Sequence, residues 1–317
     1  MKRNRMQAEV EKGKRVNKIL IPQDYDYVGV YLTDKCFLKC PYCLTSHHGA
    51  TFIGRQGSPH LSAKDWMKGL NRLVLPKDVP ITLQGGEPFL YKGIWEILEG
   101  IDHKVDIMTA LPPFLTREHF LKLKTLAWNR RPAPYPTIRV SYHKGQNDFK
   151  ELVGRIADLN DILSIGLYYL THPSIPEAEI AEMKCYAKAK GVELRAKDFL
   201  GLHQGKMHGE LKYSGSVVGR RAESAVYCRN TVVPIAPDGR IYLCHSDLYF
   251  NRVGRALGHI LDVHFEFPEK HLPCPNFGLC SECDVKIKTN HFQQYGYTSV
   301  DILFSQEQGT PAREAAT

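Results

Sequence analysis

Nine cysteines set the chemistry open to this 317-residue chain, and they are unevenly spread. Cys36, Cys40 and Cys43 fall within eight residues, spaced C-x3-C-x2-C, with His47 close behind. Cys228 and Cys244 bracket a Pro-Asp-Gly turn as C-x10-G-x4-C, and Cys274, Cys280 and Cys283 follow as C-x5-C-x2-C. Cys185 stands alone. Thiols gathered in this way serve disulfides, zinc sites or iron–sulfur clusters. The odd count, with no apolar secretory stretch in the basic first residues, argues against a disulfide framework. A structural zinc site wants four ligands in a closed tetrahedron. The first group has three local cysteines, so a Cys3His site using His47 stays open. Three thiolates equally suit a 4Fe–4S cluster that leaves one iron for an outside ligand.

These residues need a scaffold, and hydrophobic periodicity supplies one. "YDYVGVYLTDKC" is a β-branched and aromatic run that ends at the first cysteine. "HLSAKDWMKGLNRLVL" places apolar residues at helical spacing behind Ser62, a good N-cap. The alternation then repeats. Strands are expected at "VPITLQGGEP", "KVDIMTAL", "TIRVSYH", "LSIGLYYLT" and "VELRAKDFL", with helices between them, one opening at Thr116 and one closed by Gly191. Six strands, each but the last followed by a helix, read as parallel βαβ units with right-handed crossovers. The choice is a doubly wound sheet or a full or partial barrel. In barrels of this type the chemistry sits at the C-terminal ends of the strands. The cysteine loop and "QGGEP" both fall at that end.

Two motifs in order, each behind its own strand, carry a resemblance. "CFLKCPYC", with Tyr42 just before the last cysteine, and "GGEP" at Gly85–Pro88 resemble the two signatures of the radical S-adenosylmethionine (SAM) superfamily. The resemblance covers about residues 25–202 and implies a partial (β/α)6 TIM-like barrel, an α/β fold. It further implies that Cys36, Cys40 and Cys43 hold three irons, while the fourth chelates the amino and carboxylate groups of SAM. Gly85 and Gly86 would let backbone approach the methionine end of SAM, and Glu87 would help receive its amino group. Ser141 and His143, at the end of the fourth strand, would stand near the SAM ribose, and Arg195 would face a carboxylate. For these last three the alternative is ordinary barrel-end polarity.

The later cysteines resemble the C-terminal cluster domains of the same superfamily, called SPASM with two auxiliary clusters and Twitch with one. Five cysteines are too few for two complete clusters and enough for one. Cys228, Cys244, Cys280 and Cys283 are the expected ligands, with Cys274 as a spare that could displace Cys280; a zinc knuckle built on the same thiolates stays open. The expected division is a basic arm (1–24), the barrel (25–202), a Gly- and Ser-rich connection (203–226), the auxiliary-cluster domain (227–304) and a disordered tail (305–317). Cys185 is expected to be a small packing residue on a helix, with a hydrogen-donor role as its alternative.

Bulk properties bound the partners. Hydrophobic content of 43% and charged content of 24% suit a globular chain with a real core. No run of eighteen apolar residues is present, so no membrane span is expected, and the expected location is cytoplasmic. The net charge of +8 is concentrated in the basic arm rather than in a stripe interleaved with aromatics, so nucleic acid is not the expected partner. The resemblance implies a one-electron reductant such as flavodoxin or ferredoxin. The expected substrate is a small molecule, such as a sugar, a nucleotide or a cofactor precursor. The alternative is maturation of a ribosomal peptide, and the short basic arm is expected to leave no room for a leader-binding domain. A zinc-binding nucleic-acid or interaction module is the remaining reading from a different class, and "GGEP" has no purpose under it.

Overall fold

The computed structural model describes residues 18–43, 59–76, 79–126, 136–197, 199, 201–204, 206–208, 221–278, 280 and 300–305. His47, Cys283, most of the basic arm, most of the connection and nearly all of the tail lie outside the described residues.

Strand β1 (Ile19–Leu20) precedes β2 (Tyr27–Thr33). Helix α1 (Ala63–Leu70) begins at Ser62, whose hydroxyl accepts the Asp65 N–H at 3.1 Å and so satisfies an orphan donor of the first turn. Strand β3 (Leu73–Val74) pairs in parallel with β1. The chain then alternates through β4 (Ile81–Gly85), α2 (Ile94–Gly100), β5 (Val105–Thr109), α3 (Arg117–Thr125), β6 (Ile138–Tyr142), α4 (Phe149–Ala157), β7 (Ile165–Leu170), α5 (Glu177–Ala189) and β8 (Leu194–Lys197). Thr116 and Asp148 cap α3 and α4, and Gly191 takes a φ of 68° just past α5, as a terminating glycine does. Strands β2, β4, β5, β6, β7 and β8 lie side by side in that order and all run parallel. The six strands and their helices agree with the periodicity of the sequence, and the sheet is an open partial barrel.

Beyond β8 lie the short hairpin β9 (Gly201–His203) and β10 (Lys206–His208), then β11 (Val226–Asn230), β12 (Val232–Ile235) and β13 (Arg240–Tyr242). They are followed by the short helix α6 (His245–Tyr249), β14 (Ala256–His259), β15 (Leu272–Pro273) and β16 (Val300–Phe304). The turn at Pro237–Gly239 makes the expected hairpin, with Gly239 at a φ of 82°. Its first strand does something local pattern does not show. β12 pairs in parallel with β2, Val232 opposite Tyr27 and Ile235 opposite Val30. The barrel sheet therefore continues into β12, β13 and β14, nine strands in all. The "VVPI" run is buried throughout, and the open edge of β2 supplies the backbone partners it needs. β11 belongs instead to a separate sheet between β15 and β16.

The two faces of the parallel sheet differ. Ile81, Leu83, Val105, Ile107, Ile138, Val140, Ile165 and Leu167 face the helices and join one core with Ile97, Phe120 and Val153. The alternate positions, among them Thr82, Asp106, Arg139 and Tyr168, point to the inner face. Trp66 of α1 is fully buried in the core. We expect Trp66→Ala to lower stability by about 3–5 kcal/mol through the cavity it leaves. Urea unfolding would check this, and a loss below about 1 kcal/mol would show that α1 does not carry the core.

Candidate active site

The loop after β2 places Cys36, Cys40 and Cys43 at the C-terminal end of the sheet, with a turn closed by the Cys43 N–H donating to Cys40 O at 3.1 Å. Cys40 is buried, and the other two are half-buried. Burial pushes the Cys40 thiol up to about 12, and the neighbouring Cys43 and Cys36 sulfurs add to it. Burial likewise raises Cys36. Three thiols within one another's field resist ionising together, and a cationic metal relieves that. Among the described residues no three His, Cys, Asp or Glu converge on a single ion. A cubane cluster asks for a different arrangement, since each thiolate binds its own iron. The donor set fits the cluster that the resemblance implies.

The glycine pair does a job that sequence reading did not assign to it. Gly86 N donates to Thr33 O and Glu87 N to Lys35 O, both at 2.7 Å. The loop after β4 is thereby sewn to the segment leading into Cys36. A Cβ on Gly85, whose φ is +140°, would lie 2.4 Å from Thr33 O, and one on Gly86 would lie 2.3 Å from Lys35 O. Both positions need glycine so that these two backbones can meet. Glu87 is fully buried. Its Oε1 accepts from Phe89 N at 3.1 Å and Thr109 Oγ1 at 2.8 Å, and its Oε2 accepts from Ala110 N at 2.7 Å. Burial raises its carboxyl to about 7 against these donors. In the structure the carboxylate joins β4 to the end of β5, with three protein donors on it.

Around the third cysteine stands an aromatic group. The Tyr42 ring lies 5.0 Å from His172, 5.5 Å from Phe199 and 5.9 Å from His143, and its hydroxyl is 3.4 Å from His143 Nδ1. His172 in turn meets His203 at 4.6 Å. Burial, with the charge of Lys197, lowers His143 to about 4, so its imidazole is neutral at neutral pH. Ser141 lies on the inner face of β6, and its carbonyl accepts from Asn147 Nδ2 at 3.1 Å. Asn147 Oδ1 accepts the His143 N–H at 2.8 Å, and Gln146 Oε1 accepts the Lys39 N–H at 2.9 Å. Gln146 thus ties the cysteine loop to the end of β6. Sequence reading missed Gln146, Asn147, His172 and Phe199. The only signal was their place just after, or for Phe199 near the end of, strands expected to end at the site. Arg195 pairs with Glu193 and stays half-exposed, and Cys185 is exposed on α5 rather than packed, a correction to the expected packing role.

The inner face below this group is polar. Arg139 Nη2 lies 3.4 Å from both Thr82 Oγ1 and Asp106 Oδ2, and Asp106 is buried. Tyr27 is held by Thr82 and Gln84, and burial pushes its hydroxyl up to about 12. Tyr168 sits in the fields of Arg195 and Arg139.

The C-terminal cysteines are gathered at a second place. Cys228, Cys244, Cys274 and Cys280 line one pocket beside α6. The neighbouring Cys274 sulfur, together with burial, raises the Cys228 thiol, and Cys228 in turn draws Cys274 down. Cys274 is therefore not set apart from the group, as a spare would be. Cys283 lies outside the described residues.

Residues 30–169 match the family model of the Radical SAM superfamily. The GTP 3′,8-cyclase of Nautilia profundicola is 26% identical over 185 residues, covering 55% of this chain and 56% of that protein. The GTP 3′,8-cyclase of Helicobacter pylori is 24% identical over 190 residues with the same coverage. The chain thus spans a little over half the length of these curated relatives. Streptococcus suis SuiB bound to precursor peptide SuiA superposes with a TM-score of 0.51 over 84% of this chain and 69% of its own, at 14% identity. That likeness concerns the fold alone. We expect Gly86→Ala to force the two sewn loops apart, costing about 1–3 kcal/mol by overpacking and weakening SAM binding at least tenfold. Calorimetric titration with SAM would read the second effect, and unchanged affinity would show that the stitch does not shape the site.

Proposed function

We propose that this chain, which carries a radical SAM domain at residues 30–169, is an enzyme that cleaves SAM reductively and abstracts a hydrogen atom from a small anionic molecule. The observation that carries the first part is the sewn pair of loops, which holds three cysteines against the glycine pair at the C-terminal end of a parallel sheet. Cys36, Cys40 and Cys43 would hold a 4Fe–4S cluster with one iron open to SAM. When bound and reduced, that group supplies the electron that splits SAM into methionine and a 5′-deoxyadenosyl radical. The chain's own residues would do the rest. The backbone of residues 85–87 lies alongside the cysteine loop, where the methionine end of SAM belongs. Tyr42, Ser141 and His143 stand where the adenosine would lie, with His143 neutral and able to donate or accept. Burial of this end would keep water from the radical.

The second part rests on the inner face of the sheet. Three cationic residues, Arg139, Arg195 and Lys197, stand on β6 and β8, with Asp106 beside Arg139 and Glu193 beside Arg195. A phosphorylated or carboxylated small molecule, such as a nucleotide, suits such a lining. The curated relatives are named for GTP, which is of this class. The later cysteines would hold one auxiliary 4Fe–4S cluster, taking part in electron transfer.

Protein purified without oxygen is expected to be brown, to carry about eight irons and to release 5′-deoxyadenosine from SAM with dithionite. Replacing Cys36, Cys40 and Cys43 by Ala should abolish that release. Colourless protein holding only zinc, even after reconstitution, would sink the proposal.

Lys35, Phe37 and Lys39 alternate outward across the cysteine loop, and Phe37 is 39% exposed. A basic and aromatic patch over the cysteines suits docking of an acidic one-electron donor such as flavodoxin. Lys35→Glu with Lys39→Glu is expected to slow flavodoxin-driven SAM cleavage about tenfold and leave the dithionite-driven rate within twofold. An equal loss with both reductants would count against a docking role.

A further inference from the structure

We infer that Cys228, Cys244, Cys274 and Cys280 close the auxiliary iron–sulfur site, and that Asp247 is the residue that positions the segments bearing them. This rests on the proposed auxiliary cluster and says which of the five thiols this chain uses. The resemblance favoured Cys280 and Cys283, with Cys274 as a spare that could displace Cys280. The fold supplies the reason to bring Cys274 into the set.

Cys228 lies on β11 with its side chain buried. β15 pairs with that strand, Leu272 opposite Cys228 and Pro273 opposite Tyr227. The next residue, Cys274, donates its N–H to Val226 O at 2.8 Å. Backbone pairing therefore brings Cys274 to Cys228, and both line the same pocket. Cys244 comes from another direction, as the N-cap of α6, where its sulfur accepts the Asp247 N–H at 3.4 Å. Cys280 completes the lining of the same pocket.

Asp247 ties these pieces together. It is 1% exposed. Its Oδ1 accepts from Arg252 Nη1 at 3.1 Å and from Asn276 Nδ2 at 3.4 Å, and its Oδ2 accepts from Arg255 Nε at 3.0 Å. Arg255 Nη2 goes on to Pro273 O at 3.3 Å, the residue before Cys274. One buried carboxylate thus links the helix behind Cys244 to the loop that carries Cys274. Two guanidiniums against one carboxylate leave a positive charge at the pocket wall. Four thiolates on a cluster carry a net negative charge, which that wall complements. Four protein ligands suffice for a 4Fe–4S cluster, and these four are the described thiols that the pocket gathers.

The test uses the full chain reconstituted without oxygen, in a background where Cys36, Cys40 and Cys43 are Ala, so that the remaining iron reports on this site alone. About four irons per chain are expected there. Cys274→Ser should lower that number to three or fewer and give the electron paramagnetic resonance signal of an incomplete cluster. Cys283→Ser should keep all the iron and an unchanged spectrum. Full iron retention in Cys274→Ser, or iron loss in Cys283→Ser, would overturn the assignment. Zinc without iron in the background protein would overturn the auxiliary-cluster reading itself. Circular dichroism on each variant separates a lost ligand from a lost fold. For Asp247, Asp247→Asn should speed iron loss to a chelator at least fivefold and shift the cluster's reduction potential, and Asp247→Glu should recover part of both. Chelation rates and a potential equal to those of the unmodified site would remove Asp247 from its positioning role.

Discussion

Two backbone hydrogen bonds hold this site in one piece. Thr33 O and Lys35 O, the last carbonyls before Cys36, accept the N–H groups of Gly86 and Glu87. Loops from neighbouring strands usually diverge once the ladder ends, because each has its own backbone groups to satisfy. Here each loop satisfies the other, and the approach is close enough that a Cβ on either glycine would strike a carbonyl. Glu87 extends the connection, since its buried carboxylate receives the Thr109 hydroxyl and the Ala110 N–H at the end of β5. Three adjacent strand ends are thus joined, and the start of the cysteine loop is fixed to them.

The rest of the arrangement follows from the two faces of the sheet. Apolar residues on the helix side form the core and give the strands their order. The opposite face carries charge, with Arg139 partnered by Asp106 and Arg195 by Glu193. Buried carboxylates such as Asp106 survive desolvation only with such partners. An inner face built in this way can receive a polar molecule without first unburying an apolar surface. The aromatic group of Tyr42, His172 and Phe199 borders the same space and offers a flatter, less polar wall.

The C-terminal residues are part of this scaffold through β12, which extends the parallel sheet at β2. Tyr31 of β2 shares a hydrogen bond of 2.8 Å with Tyr249 of α6, buried between the two. Arg72 fixes another contact by donating to the carbonyls of Ile260 and Asp262. The helix that begins at Cys244 is therefore packed against the strand that ends at the first cysteine loop. The two cysteine groups are held by one framework, at places set by hydrogen bonds rather than by a linker.

Much of this was legible in the residues. The strands and helices were readable because alternating and helical apolar spacing recur six times, with helix starts at Ser62 and Thr116 and a stop at Gly191. The cysteine and glycine motifs were readable because their spacing is local. The role of the glycines was not, since the carbonyls they avoid lie some fifty residues earlier in the chain. Nor was Cys274, whose partner Cys228 is reached through a strand pairing that spacing cannot encode. Asp247 was not singled out in the sequence, and only the fold closes two arginines and an asparagine on it. By itself the sequence determined the order of elements and the inventory of thiols, both local properties of the chain. Which backbones meet, which carboxylates are buried and which of the described thiols share a pocket were decided only by the tertiary structure. Those depend on contacts between residues far apart along the chain, and only folding brings them together.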